Sequence, residues 1–323
     1  MRITQPYART PTSSRRPGNR VGAGDYSLYR YTYFQIHNHR YGVPMTLVAS
    51  NLTRTFKQHV AVADATLTLP PGRITGLVGP NGAGKTTLLL MLAGLLRPSS
   101  GTVELDGAPI TPESLRTRVG WMPDVFGTWD SLTPSEILTT FAKLYGMGSA
   151  DAAARAKDLL DRVHLAEFAD RPAQVLSRGQ KQRLGFARAM VHAPPILLLD
   201  EPASGMDPRS RFELRDSLRA LADGGAMVLV SSHILSELGE MVDDVVMMAR
   251  GRTEAPPETT MSTWRLRQLG EPAGAGSLLT FASEVDAAAH LAHQIAAGVR
   301  VVEFARATNA LEDSYFALEA DRT

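Results

Sequence analysis

Apolar positions along the chain follow two rhythms. From Met45, TLVASNLT (46–53) and AVADATLTLP (61–70) alternate apolar and polar residues, which predicts half-buried strands. ITGLVG (74–79), ILLLD (196–200) and AMVLVSS (226–232) are short continuous apolar runs, as expected in the centre of a buried sheet. PPGR (70–73) is a turn, TVELDG (102–107) a strand and turn, and VVMMARGRTEA (245–255) a hairpin around Gly251. Helical spacing takes over in TLLLMLAGLL (87–96) and across most of residues 132–192, then returns in SRFELRDSLRALADG (210–224). SLTPSEILTTFAKLYG opens with Thr133 as a cap and Pro134 in the first helical position. DAAARAKDLLDRVHL (151–165) and RGQKQRLGFARAMVH (178–192) continue the helical region. Beyond about residue 262, SLLTFAS, EVDAAAHLAHQIAAG and VRVVEFARA suggest strand, helix, strand, and ALEDSYFALEADR a last helix.

The pattern predicts an α/β chain of 323 residues with a buried sheet and a mostly helical stretch at 132–192. No apolar run approaches the roughly 18 residues needed to cross a bilayer. There are no cysteines, which excludes disulfides, thiolate metal sites and a cysteine nucleophile, and fits a cytosolic protein. The formal charge of +1 conceals an asymmetry: residues 1–44 carry seven Arg and one Asp, a charge of +6, and six of the eight Tyr. This segment has neither hydrophobic period nor signal-peptide core and reads as a disordered extension. It is a basic arm for anionic lipid or nucleic acid, a solvated tail, or an overlong start with Met45 as the true beginning.

GPNGAGKTT (79–87) follows a strand and opens a helix, the context that gives G-x-x-x-x-G-K-T its meaning. Gly79, Gly82 and Gly84 let the backbone bend so that N–H groups face inward. The helix N-terminus adds a favourable potential for anions. The loop as a whole, Gly79, Pro80, Asn81, Gly82, Ala83, Gly84, Lys85, Thr86 and Thr87, is assigned to a nucleoside triphosphate. Lys85 meets the β- and γ-phosphates, and Thr86 offers a hydroxyl to Mg²⁺. Only five lysines occur beside 29 arginines, so a lysine here is informative. In PPILLLDEPASGMDP (194–208), Asp200 ends an apolar strand, where it can hold Mg²⁺, and Glu201 can act on an attacking water as general base.

GWMPDVFG (120–127) places one acid, Asp124, among apolar residues, 39 positions after Lys85. Buried without a partner it would be costly; it either faces solvent in a turn or meets a positive group.

With these pieces in place, LSRGQKQRL (176–184) is similar to the signature of the ATP-binding cassette ATPases, usually L-S-G-G-Q, with Arg178 in the third position. SSH (231–233) resembles their switch-histidine segment, and SGMDP (204–208) their D-loop. Phe56, 29 residues before Lys85, falls where that family places an aromatic ring against adenine. Asp124 stands where a Gln is usual. The resemblance covers about residues 46–255. It implies a P-loop NTPase (RecA-like) core with an antiparallel β subdomain and an inserted α-helical subdomain at about 124–192. The whole cassette would occupy 45–262, and 263–323 would form a small α+β extension ending in Leu311, Glu312 and Asp313.

It further implies that two copies meet head to tail, each ATP lying between one phosphate loop and Ser177, Arg178, Gly179 and Gln180 of the other. His233 would contact the γ-phosphate, Glu201 orient water, Asp207 connect the sites, and Asp124 reach the metal. Trp121, Met122, Val125 and Phe126 become candidates for subdomain packing or for a groove receiving a permease helix.

The details are most similar to exporter-type ATPases that pair with a separately encoded permease. That implies a place on the cytoplasmic face of the membrane and no specific nucleic acid partner. A soluble non-transport cassette ATPase or a nucleotide-gated module is the alternative reading. The 92 residues from Lys85 to Ser177 hold neither a coiled coil nor a zinc module, and Glu201 and His233 are both present, which favours the transporter.

Overall fold

The computed structural model describes residues 45–125, 127, 129, 131–233, 238, 241–254, 262–272 and 275–306. The basic extension, Phe126 and the segment with Leu311, Glu312 and Asp313 lie outside these residues.

The parallel part of the main sheet is built from β3 (Ile74–Val78), β6 (Val119–Met122), β7 (Ile196–Asp200), β8 (Met227–Ser232) and β9 (Asp244–Ala249). Their spatial order is β9-β3-β8-β7-β6. Every residue of β3, β7 and β8 is buried, which is why these strands are apolar apart from Thr75, Asp200, Ser231 and Ser232. An antiparallel part, ordered β5-β4-β1-β2, joins β1 (Leu47–Phe56), β2 (His59–Leu69), β4 (Ser100–Leu105) and β5 (Ala108–Pro109). The alternating burial of β1 and β2 matches one covered face. β10 (Arg252–Glu254) returns antiparallel to β9 through Arg250 and Gly251, both at positive φ, and touches β2 in a single parallel pair.

Helix α1 (Lys85–Leu92) follows β3 and stops earlier than its apolar run, because Gly94 turns left-handed at φ +68°. α2 (Pro112–Arg116) is short. α3 (Pro134–Leu144) begins with the expected Thr133 cap, completed by Glu136 into a capping box. α4 (Ser149–Arg162) and α5 (Arg178–Ala189) complete the inserted helical region, and α6 (Pro208–Asp223) follows β7. One apolar core joins these helices to the sheet through Met122, Ile137, Leu159, Leu184, Leu199 and Leu218. A second lies around α1 between the parallel and antiparallel strands, with Leu52, Leu77, Leu88 and Leu198.

A separate three-stranded sheet has the order β12-β11-β13: β11 (Ser262–Gln268), β12 (Ser277–Phe281) and β13 (Val301–Arg306), with α7 (Glu284–Ala296) between the last two strands. β11 takes the centre, a strand that the sequence pattern does not single out. Trp264 stacks on Phe304 at 4.9 Å, and Leu266 and Ala287 are its buried apolar residues among those described. Among the described residues no helix is long and apolar enough to cross a membrane.

Candidate nucleotide site

The loop between β3 and α1 needs its glycines for different reasons. Gly82 and Gly84 lie at φ +81° and +106°. Gly79 is required by proximity instead, since a Cβ there would run into the Met248 carbonyl. The β9–β10 hairpin therefore backs the loop, and the Gly251 N–H donates to the Ala83 carbonyl at 3.0 Å. Gly84 is the N-cap of α1 and carries no side-chain cap, so no side chain competes for the first N–H groups of this helix.

Lys85 is only 7% exposed. Its Nζ donates to the Gly79 carbonyl at 2.6 Å and the Pro80 carbonyl at 3.4 Å, and stands 3.7 Å from Glu201 Oε1. Burial pushes the ammonium below its ordinary pKa; Glu201 and Asp200 draw it back up. Thr86 Oγ1 donates to Asp200 Oδ2 at 2.6 Å, and Ser231 Oγ donates to Asp200 Oδ1 at 2.5 Å. Ser231 Oγ also receives the Glu201 N–H at 3.0 Å. Glu201 holds a left-handed backbone at φ +50°, unusual for a non-glycine residue, at the end of β7. Its Oε2 lies 2.8 Å from His233 Nδ1.

One buried lysine thus faces two buried or half-buried carboxylates. An oxygen-ligated divalent cation suits that imbalance, and a carboxylate plus a hydroxyl is a donor set for a hard ion. Among the described residues no cluster of three or more His, Cys, Asp or Glu could hold a metal alone. A partial set fits magnesium, which completes its shell with water and phosphate oxygens.

Phe56 ends β1 with 42% of its surface exposed, and the Arg54 guanidinium lies 4.6 Å from the ring centre, covering one face. Ser177 caps α5 in a full capping box with Gln180: Ser177 Oγ receives the Gln180 N–H, and Gln180 Oε1 receives the Ser177 N–H. Arg178 is not merely solvated; it donates to Ser204 Oγ at 2.8 Å. Asp207 caps α6 and accepts from the Ser210 N–H and hydroxyl, which hold its carboxyl below the usual range.

Asp124 is half-buried after β6. Its backbone carbonyl accepts from Gln182 Nε2 at 3.0 Å; among the described residues no group pairs with its carboxylate. Met122 belongs to the core beneath the inserted helices, Trp121 packs against the second core around α1, and Val125 is exposed. Sequence reasoning assigned no role to Ser231, Gln182, Ser204 or Arg54. Ser231, Gln182 and Ser204 carried a signal, since each lies within a stretch similar to the cassette family, SSH, LSRGQKQRL and SGMDP; Arg54 carried none.

The profile described as "ABC transporter" matches residues 62–204. The daunorubicin/doxorubicin resistance ATP-binding protein DrrA of Streptomyces peucetius is 37% identical over 212 residues, 65% of this chain and 64% of that protein. The ABC transporter ATP-binding protein NatA of Bacillus subtilis is 37% identical over 194 residues, 59% of this chain and 79% of NatA. Among solved structures, the dimeric post-hydrolysis cassette MJ0796 bound to ADP and phosphate superposes with a TM-score of 0.60 at 25% identity, covering 64% of this chain and 96% of that one. An ATP-binding subunit of an ABC transporter gives 0.59 at 28% identity, covering 65% and 88%. The chain belongs to the family of ABC transporter ATP-binding proteins.

Proposed function

We propose that this chain binds ATP with Mg²⁺ and hydrolyses it to power export through a separately encoded membrane permease, two copies acting head to tail. The observation that carries this reading is the convergence of Lys85, Thr86, Asp200, Glu201, Ser231 and His233 behind one glycine loop. Residues 45–262 act as the cassette, with 1–44 and 263–323 as accessory segments, and the assembly sits on the cytoplasmic face of the membrane.

Lys85 has three donors and no acceptor, and its present partners are carbonyls of its own loop and the Glu201 carboxylate. Phosphate oxygens take over those donors, while the loop N–H groups and the uncapped start of α1 receive the rest of the negative charge. Thr86, Asp200 and, from the end of β6, Asp124 would hold Mg²⁺, which neutralises phosphate charge when bound. Glu201 accepts the proton of the attacking water, and the His233 contact fixes the direction of its carboxylate. His233 also reaches the γ-phosphate. Phe56 stacks on the base with its free face, Arg54 supporting the other. Ser177, Gly179 and Gln180 of one copy close over the nucleotide of the second, Arg178 adding positive charge nearby, and Asp207 links the two sites. The relatives named for drug resistance support the exporter reading.

The test is steady-state hydrolysis of MgATP by the full chain. Glu201→Gln is expected to lower turnover by a factor of about 100 or more, in the range of removing one catalytic acid–base group, and to trap an ATP-bound dimer. Wild-type turnover in that variant would sink the assignment. Co-purification with an adjacently encoded membrane protein separates the transporter reading from a soluble ATPase.

A further inference from the structure

Helix α5 begins beside the loop that leaves β7. That loop is tightly folded: the Ser204 N–H donates to the Glu201 carbonyl at 3.0 Å and the Met206 N–H to the Ala203 carbonyl at 3.1 Å. It ends where Asp207 caps α6. Arg178, the first residue of α5, reaches across to it. Nη2 donates to Ser204 Oγ at 2.8 Å. The stem of the same side chain lies against Gly205, where a Cβ would stand 2.8 Å from both Cδ and Nε. Gly205 sits at φ +73°, so a glycine there supplies the turn and also the space the arginine crosses.

The same helix holds a second loop. Gln182, 3% exposed, donates from Nε2 to the Asp124 carbonyl at 3.0 Å. Asp124 follows β6 and Glu201 follows β7, and these are neighbouring parallel strands. Two side chains four positions apart on α5 therefore tie down the exits of two adjacent strands. The Gln182 tie is buried; the Arg178 tie lies at the surface, next to the residues proposed to act on water.

We propose that Arg178 is a positioning residue that fastens the loop at 202–207 to the start of α5 within the same chain, so that helix and loop move as one body. The guanidinium suits this role better than an ammonium. Its planar fork donates to Ser204 while the stem stays flat against the Gly205 backbone. Glu201 stands at the root of the loop and is reached by any shift of α5.

Hydrogen exchange on the nucleotide-free full-length chain tests the tie directly. In Arg178→Ala, the amides of Ser204 and Met206 should exchange about three- to tenfold faster, the scale of one lost hydrogen bond to a charged group at a surface. Ser204→Ala should give a similar rise, the double variant no more than either single one, and Arg178→Lys partial restoration. Unchanged exchange in Arg178→Ala, or additive rises in the double variant, would overturn the proposal. A second readout rests on the ATPase reading: kcat should fall by a similar factor with KM for ATP within about twofold. A raised KM with unchanged kcat would place the guanidinium on nucleotide instead, and unchanged kinetics beside faster exchange would deny any positioning role. A wild-type chain that hydrolyses no ATP would defeat the proposed function, while the exchange measurement would still decide the tie.

Discussion

Two helix N-termini in this molecule are assigned to the same kind of anion, yet they are built in opposite ways. α1 starts at Gly84, with a left-handed backbone and no side-chain cap, beside a buried lysine. α5 starts at Ser177, whose hydroxyl and N–H are both engaged with Gln180 in a closed box. An uncapped start keeps its donors for a ligand; a boxed start has satisfied two of them internally. The first end is ready for phosphate in a single chain. The second is complete without one, and a phosphate brought by another copy must compete with the box. Under the proposed head-to-tail pairing, the contrast favours nucleotide binding first and pairing afterwards.

This difference can be broken at either end. The largest effect is expected at α1: Lys85→Ala should weaken ATP binding by a factor of about 10 to 100, in line with the loss of a charge-assisted contact in a buried site, measured by calorimetric titration. Loss of Gly84 tests the same end through shape. Gly84→Ala places a side chain at φ +106° against the Ala61 carbonyl and should destabilise the chain by about 1–3 kcal/mol, seen as a lowered urea midpoint. At α5, Ser177→Ala removes the box and should cost about 1 kcal/mol of stability while leaving the monomer's ATP affinity unchanged. An affinity loss there equal to that of Lys85→Ala would erase the distinction.

The smallest effect belongs to Asp207, the charged cap of α6. Its carboxyl is held below the ordinary range by Ser210, so its folded pKa is the lower one. The stabilisation it confers is then complete above the unfolded value of about 4 and drains away as pH falls through the folded value. Asp207→Asn retains a capping group without the charge. Its midpoint should lie slightly below wild type at neutral pH, and the two should converge in acid.

How much of this was legible in the sequence depended on how local each feature is. The phosphate loop was legible because its chemistry requires three small residues and a lysine in fixed order between a strand and a helix. The Thr133 cap was readable for the same reason. β6 was obscured because VGWM is only four residues long and is followed by Pro123 and Asp124, which dominate the local pattern. β11 does alternate, Trp264 and Leu266 against Arg265 and Arg267, but both of its pairing partners come later in the chain. The acid at position 124 posed a question about its carboxylate, and the structure answered with its backbone carbonyl, held by Gln182. Contacts such as Arg178 with Ser204 depend on how a loop closes, which residue spacing does not encode.

The hairpin behind the phosphate loop has a consequence for the timing of biogenesis. Ala83 leaves the ribosome 168 residues before Gly251, whose N–H completes the turn beneath it. At synthesis rates of roughly 5–20 residues per second, the most recognisable motif in the chain waits on the order of ten seconds or longer for its floor. A nascent chain cut before β9 carries the whole motif and has β8 on one side of β3, but lacks its other neighbour, β9. If the loop binds nucleotide as proposed, its floor is in place only after the hairpin has closed.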